Sequence, residues 1–322
     1  MLSFILKRIG QSALVLLVVG LVAFSMFRFV GDPIDNMLGQ ERTQADIDRL
    51  RTQLGLDQPF PVQYYKFLQE AAQGNFGVSY RQGREVSEII LERAPATLEL
   101  AAVSALIAIA LGIAFGVYTA IRRNGFLANF IMSASLVGVS LNTFLIGILL
   151  IYIFSVELGW LPSFGRGETV RLGWWTTGLL TESGLKSLIL PAITLGLYQM
   201  TLIMRLVRSE MLEVLRQDYI RFARARGLSD RVINFRHALK NTMVPVITII
   251  GLQLGAIIAF AIITETVFQW PGMGLLFINA IQVVDIPVLA ASLLLIWVMV
   301  GVSNLIVDIL YAFIDPRMRV SG

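Results

Sequence analysis

The stretch DYIRFARARGLSDRVINFRHALKNTMVP, residues 218–245, lies between two apolar runs and holds most of the information about how this chain works. Nine Lys and Arg residues fall between Arg205 and Lys240. Connections between helices are usually short, whereas this one is long and patterned. We therefore predict that it docks another protein. The alternative is a basic loop that rests on anionic lipid headgroups.

The pattern within this stretch predicts helix, elbow, helix. Four residues spaced three or four apart share one helix face: Tyr219, Phe222, Ala223 and Arg226. Gly227 is suited to end that helix as a C′ glycine. Residues 229–230 can cap a second helix, and residues 241–242 can cap the next apolar span, with Pro245 in its first turn. Such a rigid element can transmit a push.

The composition is that of a membrane protein. Of 322 residues, 56% are hydrophobic and 15% are charged, and the mean hydropathy is +0.73. A soluble domain of this composition would expose too much apolar surface. The chain has no cysteine, which excludes disulfide and thiolate chemistry, and its single histidine, His237, excludes a multi-histidine metal site.

The apolar runs predict an all-α polytopic membrane protein with six transmembrane helices. These spans cover about 9–30, 99–121, 128–156, 188–207, 244–264 and 288–312. The first could be read as a signal peptide, but its apolar run is long and lacks a convincing cleavage site.

Loop charge predicts the orientation. With the N-terminus in the cytoplasm, the inner side holds 15 basic and 6 acidic residues, and the outer side holds 11 basic and 16 acidic residues. Insertion favours basic residues on the inside. We therefore expect both termini to be cytoplasmic and residues 31–98 to be external. That segment predicts a small helical subdomain, with one helix around 43–54 and a second from Pro61 to Gln73. It either contacts a substrate-delivering protein or is a structural cap.

The polar residues within the spans are candidates for a transport pathway, or else for helix–helix hydrogen bonds. They are Asn142, Thr143, Gln199, Thr201, Gln253 and Asn304. Carboxylates are scarce at mid-membrane, which argues against a proton-coupled carrier. Glu265 is expected near an outer helix end, where it can reach water. The four glycines that we expect to permit close helix packing are Gly138, Gly147, Gly251 and Gly255.

Several sequence blocks, in order, resemble the B-type permeases of the dipeptide/oligopeptide/nickel ABC importers. The blocks are GDP at 31–33, LGLDQP at 54–59, GNFGVS at 74–79, ATLEL at 96–100, ARARGL at 223–228, HALKNTMVP at 237–245, GLQLGA at 251–256, TETVFQWPGMG at 264–274 and DILYAFIDPRMR at 308–319. The family's Glu-Ala-Ala pattern is absent, since residues 221–223 are Arg-Phe-Ala. This departure argues against a specific acidic residue and leaves the docking role intact.

The resemblance implies a type I ABC importer permease-like fold with an external helical subdomain. Its parts would be the first helix (1–30), the subdomain (31–98), a five-helix permease core (99–312) with the coupling loop 208–244, and a cytoplasmic tail (313–322). Five residues would couple to the ATPase: Tyr219, Phe222, Ala223, Arg226 and Gly227. The pathway candidates within this scheme are Asn142, Gln199, Gln253 and Asn304.

The implied function is a permease subunit of an ATP-driven importer in the bacterial cytoplasmic (inner) membrane. The implied partners are a second homologous permease, two ABC ATPase subunits, an external substrate-binding protein and membrane lipid, with no nucleic acid. The chain contains no G-x-x-x-x-G-K-[ST] loop, so we expect no enzyme activity, metal or cofactor in it. ATP and Mg²⁺ would be bound by the ATPases. The alternative is an ATP-independent secondary transporter or channel. Dipeptides, oligopeptides, glutathione, nickel chelates and opines all remain open as substrates.

Overall fold

The computed structural model describes residues 2–29 and 57–314. Its helices are α1 (Leu2–Phe29), α2 (Phe60–Ala72), α3 (Val86–Ile121), α4 (Phe126–Ser140), α5 (Thr143–Leu150), α6 (Glu182–Val214), α7 (Asp218–Ala225), α8 (Asp230–Val232), α9 (Leu239–Val267), α10 (Met273–Gln282) and α11 (Ile286–Ile314). Wider π-helical turns at Ile151–Glu157 and Ile233–Ala238 extend α5 and lead into α9. The helix predicted around 43–54 and tail residues 315–322 lie outside the described residues.

Helices occupy all six predicted spans. Among the described residues, four helices are long and apolar enough to cross a membrane: α1, α3, α6 and α11. The segments Asp230–Gly251 and Gln253–Val267 meet at a 42° bend and are long and apolar enough for a fifth span when counted together. The predicted span 128–156 consists of α4, α5 and the π-helical turns, and it is broken at Leu141 and Asn142.

The predicted start of the fifth span was wrong. Residues 241–242 do not cap the fifth span, because the helix is already continuous from Asp230 through the π-helical turns into α9. Thr242 instead donates a hydrogen bond from its hydroxyl to the Ala238 carbonyl at 3.0 Å. Pro245 therefore lies inside α9 rather than in its first turn, where its missing N–H leaves one helical hydrogen bond unmade.

The predicted boundary between residues 31–98 and 99–312 lies within a single helix. α3 has 36 residues, so it is about 54 Å long. The hydrocarbon core of a bilayer is only about 30 Å thick. α3 is therefore longer than the hydrocarbon core, and it connects the segment before it rigidly to the helical bundle.

The predicted second helix of the 31–98 segment is confirmed as α2, and it packs on α1. Gly74 follows it with φ +78°, as expected for a glycine that ends a helix. The Tyr64 hydroxyl donates to the Leu17 carbonyl at 2.5 Å. The Phe24 ring of α1 lies 5.2 Å from Phe60 and 5.6 Å from Phe67, measured between ring centroids.

Small residues allow α3 and α6 to run parallel in close contact. A Cβ added to Gly116 would lie 2.6 Å from the Val207 Cβ and 2.8 Å from the Met204 carbonyl oxygen. Gly112 faces Ile203 in the same way, at 2.9 Å. This spacing of small residues is typical of membrane helix contacts. Sequence reasoning did not single out these two glycines.

The packing role predicted for four other glycines is confirmed at three. Gly251 lies against Val307 and Gly255 against Asn304, so α9 and α11 meet closely at both places. Gly147 would bring a Cβ within 3.1 Å of Val267. At Gly138 the nearest atom would be 3.5 Å away, which is an ordinary contact, so no close approach requires glycine there.

We expect Gly116→Ala to destabilise the protein by about 1–3 kcal/mol, because the new methyl group overlaps Val207 and a backbone carbonyl across a rigid helix pair. The measurement is thermal unfolding of the purified protein in detergent. Gly301→Ala is the matched control, since a Cβ there would meet nothing within 4 Å. Equal melting temperatures for the two variants would contradict the close packing.

Candidate functional site

The elbow predicted after α7 is confirmed. Gly227 has φ +79°, a conformation that side chains disfavour. Its N–H donates to the Arg224 carbonyl at 2.9 Å, and the Leu228 N–H donates to the Ala223 carbonyl at 3.3 Å. These two hydrogen bonds form the Schellman pattern of a helix that ends in glycine. The chain then turns into α8 and runs on, without a break in the helix, into α9.

The inner side of α7 is fixed to the membrane helices. Ile220 is fully buried and Ala223 is 7% exposed. They pack with Val117 of α3, Met211 of α6 and Ile233 of the π-helical turns. Ala223 was predicted to share a docking face with Tyr219 and Phe222. Its burial corrects that prediction, because a helix that rests on the bundle must turn one side inward.

The outer side of α7 carries two exposed aromatic rings. Tyr219 is 43% exposed and Phe222 is 63% exposed. The Arg226 guanidinium carbon lies 5.7 Å from the centre of the Phe222 ring, a favourable cation–π distance. The Tyr219 hydroxyl accepts a hydrogen bond from the Asn241 amide at 2.7 Å. The exposed aromatic face is therefore linked directly to the first turn of α9.

Two further exposed apolar residues extend this face, and sequence reasoning left them out of the site. Leu228 is 41% exposed and Phe235 is 54% exposed. The signal that could have found them is the presence of large apolar side chains in a strongly basic loop. We use the name elbow surface for the exposed set Tyr219, Phe222, Arg226, Leu228 and Phe235.

The pathway candidates are not brought together at one site. The Asn142 side chain caps α5, accepting from the Phe144 N–H at 3.1 Å. Asn304 packs against Gly255 between α9 and α11, and Gln253 on α9 is half-buried. Gln199 alone is buried and lines a cavity of about 250 Å³ between α5, α6 and α9.

A two-stranded hairpin occupies the end of the bundle opposite the elbow. β1 (Val170–Leu172) pairs antiparallel with β2 (Trp175–Thr177). Arg166, which precedes it, forms a buried ion pair with Glu99 of α3 at 2.5 Å. The Trp175 indole N–H also donates to Glu99, at 3.2 Å. Trp175 therefore anchors the hairpin, while the neighbouring Trp174 is exposed.

We predicted that Glu265 reaches water, but its side chain is fully buried. Its carboxylate accepts from the Thr97 hydroxyl at 2.5 Å and from the Leu275 N–H at 3.0 Å. A Cβ on Gly272 would collide with this carboxylate. This explains why the third residue of the segment WPGMG, residues 270–274, is glycine. Glu265 thus holds the turn after α9 against α3.

These features define a class of protein: a multi-pass helical membrane protein that presents a stiff, partly aromatic elbow at one end of its bundle. Two family profiles match the chain. The profile described as "Binding-protein-dependent transport system inner membrane component" matches residues 112–320, and an N-terminal profile of the same kind of membrane component matches residues 1–101. The chain belongs to this family, so it is a multi-pass inner membrane permease subunit of an ABC importer and not itself the catalytic subunit.

Relatives from several bacteria agree with this assignment. A putative peptide permease protein of Brucella suis biovar 1 is 42% identical over 100% of both chains. The di/tripeptide transport system permease protein DppB of Pseudomonas aeruginosa is 41% identical over 99% of each chain. The glutathione transport system permease protein GsiC of Salmonella paratyphi A is 38% identical over 99% of each chain.

A solved structure confirms the fold. An inward-facing structure of the MetNI methionine ABC transporter matches with a TM-score of 0.56 and 16% identity, covering 70% of this chain and 96% of that chain. Identity this low establishes the fold alone. The chain therefore has the type I ABC importer permease fold, as the sequence blocks implied. Membership of this family also supports an ATP-driven importer rather than an ATP-independent transporter or channel.

Proposed function

We propose that this chain is one of two permease subunits of a peptide importer, in which it forms the translocation pathway with a second homologous permease. Relatives that match over almost their whole length carry peptide, di/tripeptide and glutathione transport in their names. Full-length similarity of this kind supports a peptide or peptide-like substrate. An external binding protein delivers the substrate, and two ATPase subunits bind ATP and Mg²⁺.

The elbow surface is the observation that carries the proposed mechanism. It combines exposed aromatic rings with a support that is buried against α3 and α6. Aromatic side chains on a rigid base are typical of interface anchors. The ATPase would bind Tyr219, Phe222 and Arg226. Ala223 would instead pack against the membrane helices and hold α7 in place. Gly227 would set the angle between α7 and the helix that continues into α9.

Motion of the ATPases would reach the bundle through this element. ATP binding closes the ATPase pair, and a helix without a break connects the elbow to α9. A displacement of α7 therefore shifts α9 and its neighbours between two packed arrangements. ATP binding to the ATPases thereby shifts the equilibrium between the two arrangements of the permease helices.

We expect the elbow and both termini to face the cytoplasm, because the basic residues are concentrated there. Reporter fusions at Asn124, Asp230 and Ser321 should read cytoplasmic, and fusions at Gly74 and Glu168 should read external. Alkaline phosphatase and fluorescent-protein fusions give opposite signals and check each other. An external reading at Asp230 would exclude ATPase docking at the elbow.

The peptide substrate is tested by reconstitution. The chain would be assembled in liposomes with its second permease, ATPases and binding protein, and uptake of radiolabelled dipeptide would be measured with ATP inside or outside. We expect uptake only when ATP is available to the ATPases. An ATPase variant with its phosphate-binding lysine replaced is the control. Absence of dipeptide and glutathione uptake by the wild-type transporter would contradict the peptide assignment.

A further inference from the structure

The cavity of about 250 Å³ between α5, α6 and α9 is lined by a residue that has an unsatisfied polar atom. It is lined by Thr143, Leu195, Tyr198, Gln199 and Phe260. The Gln199 side chain is 3% exposed, and within residues 2–29 and 57–314 its Oε1 has no hydrogen-bond partner. Leaving a buried amide oxygen unpaired costs on the order of 1–3 kcal/mol. Such a group in a cavity points to a ligand that completes it.

The cavity lies beside the middle of α6, a helix long and apolar enough to cross a membrane. Gln199 is at the middle of the 33-residue helix α6, about 25 Å along its roughly 50 Å length. Polar side chains at mid-membrane face the interior of the helix bundle or a water-filled cavity rather than lipid. Leu195 and Phe260 make part of the lining apolar, while Thr143 and Tyr198 add hydroxyl groups beside Gln199. A mostly apolar pocket with a few polar groups suits ligand binding.

A broken helix opens onto the same cavity. Thr143 is the first residue of α5 and follows the break at Leu141 and Asn142. The N-terminus of a helix carries a partial positive charge from its aligned peptide dipoles. Broken membrane helices in transporters direct such ends at substrate oxygens. The cavity therefore has a carbonyl acceptor on α6 and a positive helix end on α5.

We propose that this cavity, the Gln199 cleft, is a subsite for the main chain of the transported peptide. The Gln199 Oε1 accepts a hydrogen bond from a peptide N–H, and the neighbouring peptide carbonyl oxygen lies at the N-terminus of α5. Tyr198 and Phe260, which are 39% and 54% exposed, contact the peptide side chains without selecting among them. An uncharged amide complements every peptide bond alike. The inference rests on the proposed peptide substrate.

The first test separates uptake from ATP hydrolysis. We expect Gln199→Leu to lower dipeptide uptake by the complete reconstituted transporter at least tenfold while ATPase activity stimulated by the binding protein is retained. Thr194→Val is the matched control. Thr194 is on the same helix and is 1% exposed, but its hydroxyl donates to the Leu190 carbonyl at 2.8 Å and it is not among the residues that line the cavity. Its uptake should stay at the wild-type level.

Two results would contradict the proposal that the Gln199 cleft binds the peptide main chain. One is uptake by Gln199→Leu equal to that of Thr194→Val. The other is a parallel fall in uptake, ATPase activity and melting temperature, which would assign Gln199 to helix contacts, including contacts with the second permease. These results can be distinguished from failure of the proposed peptide substrate, because in that case the wild-type transporter would not take up dipeptides at all.

The absence of native cysteine allows a second measurement that does not depend on uptake. Gln199→Cys and Thr194→Cys would each be the single cysteine of this chain. We expect a charged, membrane-impermeant thiol reagent to modify Gln199→Cys during ATP turnover at least tenfold faster than Thr194→Cys. Equal and slow modification of both would mean that the cleft faces lipid, and the proposal would fail.

Discussion

Replacing Phe222 by alanine is expected to weaken binding of the ATPase subunit by roughly 30-fold or more. The ring is 63% exposed on a helix whose opposite side is buried, so a partner can enclose it without rearranging the bundle. Truncating an aromatic anchor at an interface commonly costs about 2–4 kcal/mol, and a loss of about 2 kcal/mol lowers the affinity roughly 30-fold. Copurification of the ATPase with the detergent-solubilised permease measures this.

Arg224→Ala is the control for Phe222→Ala. Arg224 is also exposed on α7 but lies on another side of the helix. We expect a smaller loss of ATPase binding that shrinks further at high salt, because exposed charges are screened. A loop that only rests on lipid headgroups predicts the reverse order, since each lost arginine weakens adsorption. Measuring both variants at two salt concentrations separates the two explanations.

Replacing Gly227 by valine is expected to abolish uptake while the protein still inserts. A Cβ at this position would meet nothing within 4 Å, so the effect comes from the backbone alone. A β-branched residue held at φ +79° is strained by on the order of 1–3 kcal/mol. The elbow would relax to another angle and move α7 away from the position that the ATPase engages.

Gly227→Asn tests whether the backbone conformation is the cause, because asparagine tolerates positive φ much better than valine does. We expect this variant to retain most of the uptake, with similar amounts of both proteins in the membrane. Near wild-type uptake by Gly227→Val, or equal loss in both variants, would argue against the elbow angle as the sensitive quantity.

The class of protein and the elbow were predictable from the sequence because both follow from local chemistry. Long apolar runs have few alternatives to membrane helices. Gly227, set between a helical pattern and a second capping signal, predicts its own left-handed conformation. The breaks in the predicted spans were harder to see. Leu141 and Asn142 interrupt a run that is apolar on both sides, so hydropathy does not reveal the break. The helix that leads into α9 begins at Asp230, well before the apolar residues by which the span was recognised.

Composition and turn chemistry act over a few neighbouring residues, and they are sufficient to predict a helical membrane permease with a glycine elbow. The free side of α7 follows instead from helix packing, since the burial of Ala223 depends on α3 and α6 lying beneath it. The same holds for Glu265, which is buried because Thr97 and the turn after α9 satisfy its carboxylate. The Gln199 cleft likewise exists only where three helices meet, and periodicity along one helix carries no information about the other two.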